Sequence, residues 1–392
     1  QVNPPYQWLN TVGGVSRVER IELEASLRQI RVDDRIVALS SVPGAFGAAT
    51  FDEGNIVSFL AANELPPDSS VVDPQRAASA AIRYGFDLAP GASQSWVVSV
   101  PFSQSRDVQN RLIEPLLAAD DPVEHIRTRQ QAVVDSWNRA TSNFELLVPP
   151  EAADVVNAIR STLAYILINQ DGRAIHPGSR SYERSWIRDG SLTATALMRF
   201  GLEREAQEFV DWYAPYQFPS GKVPCVVDHY VMAVMNIYRF TGDKEFLRQH
   251  WPRVQQAVAY IESLRAERMT PGYANPGTSE TRQEPDKPAV SLHAFYGLVP
   301  ESISHEGYSA KPMHSYWDDF FVLKGFKDAA EMAAVLGEDD AAARYQQLAD
   351  DFARTLYASI DLAMQTHGID YIPGCVELGD FDATSTTIAL WP

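Results

Sequence analysis

Cysteine is nearly absent: Cys225 and Cys375 are the only two in 392 residues. A disulfide framework and a cysteine-built zinc site are therefore excluded, and a single bridge is the most that sulfur can contribute. Long apolar runs are missing as well, and no stretch approaches the ~20 residues a bilayer crossing needs. Basic charge is in deficit. Lys and Arg number 33 against 51 Asp and Glu, a net charge of −18. Such a surface repels phosphate backbones and anionic lipid, so no nucleic-acid and no membrane partner is expected. No glycine-rich phosphate loop and no serine-nucleophile elbow occurs. His293, His305 and Glu306 lack the i, i+4 helical spacing of a zinc-hydrolase motif. No metal and no cofactor is expected. Oligomeric state is not legible in the residues. The chain opens at Gln1 with no signal peptide in view, and a secreted or periplasmic location is only slightly favoured over the cytoplasm.

What is present changes rhythm part-way along. With 45% hydrophobic and 21% charged residues the composition is that of a globular protein, and the length exceeds what one core comfortably serves. Residues 1–120 predict an antiparallel β-sandwich module. Arg17-Val18-Glu19-Arg20-Ile21-Glu22-Leu23-Glu24 alternates polar and apolar. Ile30-Arg31-Val32 and Ile36-Val37-Ala38-Leu39 flank a hairpin turn at Asp33-Asp34. The stretches 82–88 and 96–100 alternate again on either side of Pro90-Gly91.

Residues 121–148 predict a linker helix, with Asp121 as cap, Pro122 at the first helical position, and Val123, Ile126, Val133, Val134 and Trp137 as its apolar stripe. From 149 to 392 the period is helical almost throughout. Helices are expected near 155–167, 191–200, 203–212, 229–240, 244–264, 315–336, 339–359 and 382–390, in consecutive pairs. Their connections are unequal. Thr241-Gly242-Asp243 and Gly337-Glu338 are short, whereas 171–188 and 266–313 far exceed the usual length of roughly 4–6 residues. Paired helices with their long loops on one side predict a ring whose mouth gathers those loops, and a site belongs there.

Two clusters fall on these long connections. The first is Ser181-Tyr182-Glu183-Arg184-Ser185-Trp186-Ile187-Arg188-Asp189-Gly190. Asp189 fits a helix cap. The same residues also fit a sugar grip: Arg188 donates to hydroxyl oxygens, Asp189 accepts from hydroxyls, and Trp186, with Tyr182 beside it, covers the apolar ring face. The second runs from Gly297 to Asp319 and brings Glu301, Glu306, Asp318 and Asp319 to one rim, with Trp317 among them. Glycoside hydrolysis takes one protonated carboxyl to assist the leaving group and one carboxylate that activates water or attacks the sugar. These four are the catalytic candidates. Capping by Asp318 or Asp319 and simple solvation of the glutamates are the bland alternatives. Glu377, in the stretch 373–382, is a further candidate for touching substrate, and Asp380 or Asp382 fits the cap of the last helix.

These residues resemble a known family. Trp186-Ile187-Arg188-Asp189-Gly190-Ser191-Leu192-Thr193 is similar to the Trp-x-Arg-Asp-x-x-x-Thr signature of the glucoamylases. Gly297-Leu298-Val299-Pro300-Glu301 resembles the loop that carries that family's general acid, with Pro300 where the family has Trp. Asp382-Ala383-Thr384-Ser385 is similar to a segment that begins a later barrel helix. The resemblance covers roughly residues 120–392. Only the Trp-x-Arg-Asp motif is specific, since trehalase-like and rhamnosidase-like barrels share the rest.

The resemblance implies an α+β multidomain chain, with the β-sandwich and linker helix ahead of an (α/α)6 toroid of helical hairpins. It implies an inverting glycoside hydrolase acting on an oligo- or polysaccharide, the sugar held by Arg188 and Asp189. The acid would be Glu301 or Glu306, its pKa raised by burial and neighbouring carboxylates. The helices counted fall short of a closed ring, so the last hairpins are expected beyond Pro392, and the catalytic base there or in an unseen segment near Asp228. The direct passage of Val226-Val227-Asp228 into a helix at His229 leaves no room there for a mouth loop. A glycoside phosphorylase, with Arg282 and Lys311 toward phosphate, and a non-catalytic carbohydrate-binding barrel are the alternatives.

Overall fold

Alternation of polar and apolar residues becomes strand where Ile21, Ile30, Val32 and Val71 can turn inward together. A computed structural model describes residues 17–25, 28–101, 111, 115–116, 119–224 and 227–390, and the chain divides into two units, residues 1–138 and 139–392. In the first unit, strands β1 (Arg20–Glu24), β2 (Gln29–Val32), β3 (Arg35–Ser40), β4 (Ala45–Ala49), β5 (Ser70–Val72), β6 (Ser79–Arg83) and β7 (Val98–Ser99) form two antiparallel sheets, with helix α1 (Ile56–Ala61) after β4. One sheet runs β5-β1-β2-β3-β7 and the other is the pair β4-β6. Both contribute to one apolar cluster around Ile21, Ile30, Val32, Ala48, Val71 and Ala80. The Asp33-Asp34 turn joins β2 to β3, and Asp33 Oδ1 accepts the N–H groups of Glu19 and Arg20 at 3.1 and 2.9 Å. The alternation through residue 88 does not continue as strand: β6 stops at Arg83, and Tyr84 turns its hydroxyl to Ser40 Oγ at 2.9 Å.

Helix α2 (Pro122–Ala140) starts as expected, with Asp121 Oδ1 accepting from Val123 and Glu124 N–H, both at 3.0 Å. In the second unit follow α3 (Ala153–Ile168), α4 (Ile187–Arg199), α5 (Glu203–Tyr213), α6 (Val227–Thr241), α7 (Lys244–Ala266), the single turn α8 (Pro271–Ala274), α9 (Tyr316–Leu336), α10 (Asp339–His367) and α11 (Ala383–Ile388). The last helix of the long pair exceeds the expected 339–359 because Ile360 and Ala363 continue its buried stripe. Asp382 caps α11 by accepting from Thr384 N–H at 3.0 Å.

The hairpins α4–α5, α6–α7 and α9–α10 pack in two rows. In the front row α4, α6, α9 and α11 lie side by side; α5 and α7 stand behind, and α10 covers α9. Middle helices of a row are covered on most sides, so α6 is buried at every position from Val227 to Ile237, as a helix apolar around its whole circumference must be. Among the described residues these helices form an arc. Contacts link α4 to α6, α6 to α9 and α9 to α11, and a closed toroid is not established among the described residues.

The short connections are 200–202, 242–243 and 337–338, the last made by Gly337 in the left-handed conformation at φ 80°. The long ones precede α4, α6, α9 and α11, so the first turns of the whole front row open on one side. A mouth segment before α6 does exist, contrary to expectation: residues 214–226 separate α5 from α6, and Lys222 and Val223 reach the cavity described below. On the closed side, Asp243 caps α7 through Glu245 and Phe246 N–H at 2.9 and 3.1 Å. Asp243→Ala is expected to cost about 0.5–2 kcal/mol, read from urea unfolding of the purified chain.

Candidate functional site

The open ends of α4, α6, α7 and α9 and the segment 299–306 enclose a cavity of about 370 Å3. Val223, Val227, Ile261, Leu264, Val299 and Val322 make most of its surface apolar, and Trp186, Arg188, Asp228, Glu301, Glu306 and Asp318 bring polar groups to it. An apolar hollow with a few converging polar groups is the usual form of a small-ligand site.

Arg188 sits in the first turn of α4, not in the loop ahead of it, because the helix begins at Ile187 with Trp186 as its uncapped flanking residue. Asp189 therefore lies inside the helix and is no cap. Its carboxylate instead accepts from Arg188 Nε at 3.2 Å. Arg188 Nη1 donates to the Ser304 carbonyl at 3.3 Å, and Nη2 lies 3.6 Å from Glu306 Oε1. The two sequence clusters thus meet at one guanidinium. Trp186 lies between the Tyr182 ring, 5.9 Å away, and the Arg184 guanidinium, 4.4 Å from its centre. Tyr182 is half exposed and is not part of the cavity wall.

Glu301 runs against expectation. Burial pushes its carboxyl up, but its own backbone N–H and the charges of His314, Arg268 and Arg282 outweigh that and hold it below the usual carboxylate range. Arg268 pairs with it directly, Arg282 Nη1 lies 3.6 Å away, and His314 Nε2 3.5 Å. Behind it, Glu377 is buried, 2.7 Å from His314 Nδ1 and 3.6 Å from Arg282 Nε. Glu377 anchors this cluster and does not reach the cavity. Arg268→Gln is expected to move the Glu301 titration upward, read by carboxyl-carbon NMR. A depressed folded-state pKa stabilises the fold above the unfolded value and ceases to do so as pH falls through the folded one. The stability gap between wild type and this variant should therefore be present at neutral pH and close on acidification.

The carboxyl with the raised pKa is Asp318. It is 8% exposed and accepts from the Ser302 hydroxyl. Burial pushes it up to about 7 and Asp228 adds to the rise, against the Ser302 bond, His305 and Arg188. Asp319 is wholly buried, is pushed well above the usual range by burial first, and accepts from Val299 N–H at 3.2 Å. Neither caps α9. Asp319 fastens the 297–300 segment and Asp318 opens on the cavity. Trp317 is buried against Phe321, with ring centres 4.9 Å apart, and stands outside the cavity wall.

Asp228 was not among the candidates, although a lone carboxylate heading the apolar run of α6 was the available signal. Arg282 and Lys311 do not form a phosphate pocket. Arg282 faces Glu301 and Glu377, and Lys311 Nζ donates to Glu284 Oε1 at 2.6 Å. Cys375 is a free thiol, buried beside Asp380, and Cys225 lies outside the described residues. Among the described residues no group of three or more His, Cys, Asp or Glu side chains is arranged to hold a metal ion, and no helix is long and apolar enough to cross a membrane.

A family model described as the six-hairpin glycosidase domain of bacterial alpha-L-rhamnosidase matches residues 184–360. No curated protein matches the sequence. Among solved structures, a bacterial glucoamylase complexed with acarbose superposes with a TM-score of 0.53 at 13% identity, over 87% of this chain and 48% of that one. An alpha-L-rhamnosidase from Dictyoglumus thermophilum gives a TM-score of 0.34 at 16% identity, over 53% of this chain and 23% of that one. The glucoamylase likeness concerns the fold, and the chain spans about half the length of that structure.

Proposed function

We propose that the chain carries a glycoside-hydrolysing site in the cavity at the open end of α4, α6 and α9, a reading supported by the match of residues 184–360 to a six-hairpin glycosidase domain and by the glucoamylase-like fold. One observation carries the reading. Asp318, a buried carboxyl that titrates about 7, faces the same cavity as the Arg188–Glu306 contact. A carboxyl poised near neutrality is what a proton donor needs.

In this reading Asp318 protonates the departing glycosidic oxygen as its bond to the anomeric carbon breaks. Glu306 takes a proton from the water that attacks the opposite face. Inversion follows if the two carboxyls leave room for that water, roughly 6.5–9.5 Å. Arg188, steadied by Asp189, holds ring hydroxyls and Trp186 covers an apolar face; Asp189 itself does not line the cavity. Glu301, paired with Arg268, stays ionised and shapes the wall. An apolar cavity suits a sugar with a bare C–H face, which both an α-glucoside and a 6-deoxy sugar such as an α-L-rhamnoside present.

The test is turnover of nitrophenyl α-D-glucosides and α-L-rhamnosides together with a glycan panel, with proton NMR of the first product. Hydrolysis that initially releases the opposite anomer supports the reading. Retention would overturn inversion alone, phosphate-dependent turnover would make the enzyme a phosphorylase, and sugar binding without turnover would leave a carbohydrate-binding barrel.

A further inference from the structure

We infer that Asp228 is a further substrate-contacting residue of this cavity, its carboxylate accepting a hydroxyl hydrogen from a neutral sugar ring. The inference rests on the reading of the cavity as a sugar site. Asp228 stands in the first turn of α6, is 1% exposed, and yet lines the cavity. Its Oδ2 is buried and accepts no hydrogen bond; the nearest charged partner, His229 Nδ1, is 3.5 Å away. A buried carboxylate oxygen without a donor is costly and seldom kept in a folded protein unless something else supplies the hydrogen.

The surroundings select the donor. Val223, Val227 and Val322 make the adjoining wall apolar, which fits the C–H face of a ring. Water alone would satisfy Oδ2, but a ring hydroxyl also uses the apolar wall beside it.

The carboxylate is held in place by a close approach of two helices. Gly325 of α9 abuts it, and a Cβ there would stand 3.1 Å from Asp228 Cβ and 3.3 Å from its Cα. Glycine at 325 lets α6 and α9 meet with Asp228 fixed against the cavity. Asp318 lies on the same helix α9, and the charge of Asp228 adds to its cost of ionisation.

The experiment is isothermal titration of the purified chain and of its Asp228→Asn and Gly325→Ala variants with D-glucose, L-rhamnose and acarbose. It is accompanied by carboxyl-carbon NMR of Asp318. For whichever sugar the wild type binds, Asp228→Asn should weaken binding by roughly tenfold or more, the loss of one charge-assisted hydrogen bond. Gly325→Ala should weaken it several-fold with the carboxylate still present. In Asp228→Asn the Asp318 midpoint should fall, because a like charge has gone. Unchanged affinity in Asp228→Asn overturns the inference and leaves the sugar site standing, even if the Asp318 midpoint moves. Should that variant not fold, unchanged affinity in Gly325→Ala overturns it in the same way. A wild type that binds none of the three sugars removes the sugar-site reading and this inference with it.

Discussion

Asp318→Asn is expected to lower kcat/KM by about 10^2–10^4-fold, the usual contribution of a positioned proton donor. The amide keeps the shape of the side chain and can still accept from the Ser302 hydroxyl, so the cavity should survive while the transferable proton does not. The signature lies in the leaving group. A nitrophenolate departs without help, so the loss should be smaller on aryl glycosides than on a natural disaccharide; an equal loss on both would mean that Asp318 does not donate the proton.

The pH behaviour has a definite sign. Wild-type turnover requires the protonated carboxyl and should fall as pH rises through about 7, and the variant should lack that descending limb. Stability falls in the same direction. Because the folded-state pKa lies above the unfolded one, the folded chain binds the extra proton and is destabilised as pH rises between the two values. Thermal melts at pH 7 and above should find Asp318→Asn at least as stable as wild type, a pairing of lost turnover with retained stability that general unfolding could not produce.

Gly190→Ala is expected to have the second large effect, on folding. A Cβ at 190 would stand 2.0 Å from Phe209 Cζ and 2.5 Å from Cε1. Phe209 cannot give way easily: it is fully buried, with the Trp212 and Tyr213 rings 6.2 and 5.8 Å from its centre. Overpacking of this kind costs about 1–3 kcal/mol or more, which for a unit of this size lowers Tm by about 2–12 °C. The displaced element is the first turn of α4, two residues after Arg188. Binding of any cavity ligand should weaken with stability. An alanine here that left both unchanged would mean α4 can slide away from α5 without cost.

The helical half was legible because its signals are local. Asp121 before Pro122, Gly337 after an apolar stripe, and Asp382 before Ala383 each declare a helix end within a few residues, and the structure puts ends there. The charge state of Glu301 was not legible. It depends on Arg268 and His314, which are brought beside it by the fold from 33 residues before and 13 residues after. Burial of Glu377 and Trp317 was hidden for the same reason, since an acidic loop residue and one at a helix start look alike whether they face solvent or a neighbour. Asp228 was overlooked because its helix read as core; the informative sign was the carboxylate among apolar residues. Closure of the helices into a ring depends on which helix meets which, and periodicity within one helix carries no record of that.

The two ends of the helical unit differ in how much change they can absorb. At the closed end a two-residue turn with a left-handed glycine joins α9 to α10, and there is no slack to take an insertion without unseating both helices. At the open end residues 267–315 wander over nearly fifty positions before α9 begins, and length there can grow or shrink without disturbing the packed rows. A lineage built on this plan is free to diverge in what it accepts while its architecture stays fixed, and directed evolution of new ligand preference should draw its accepted changes from that one rim.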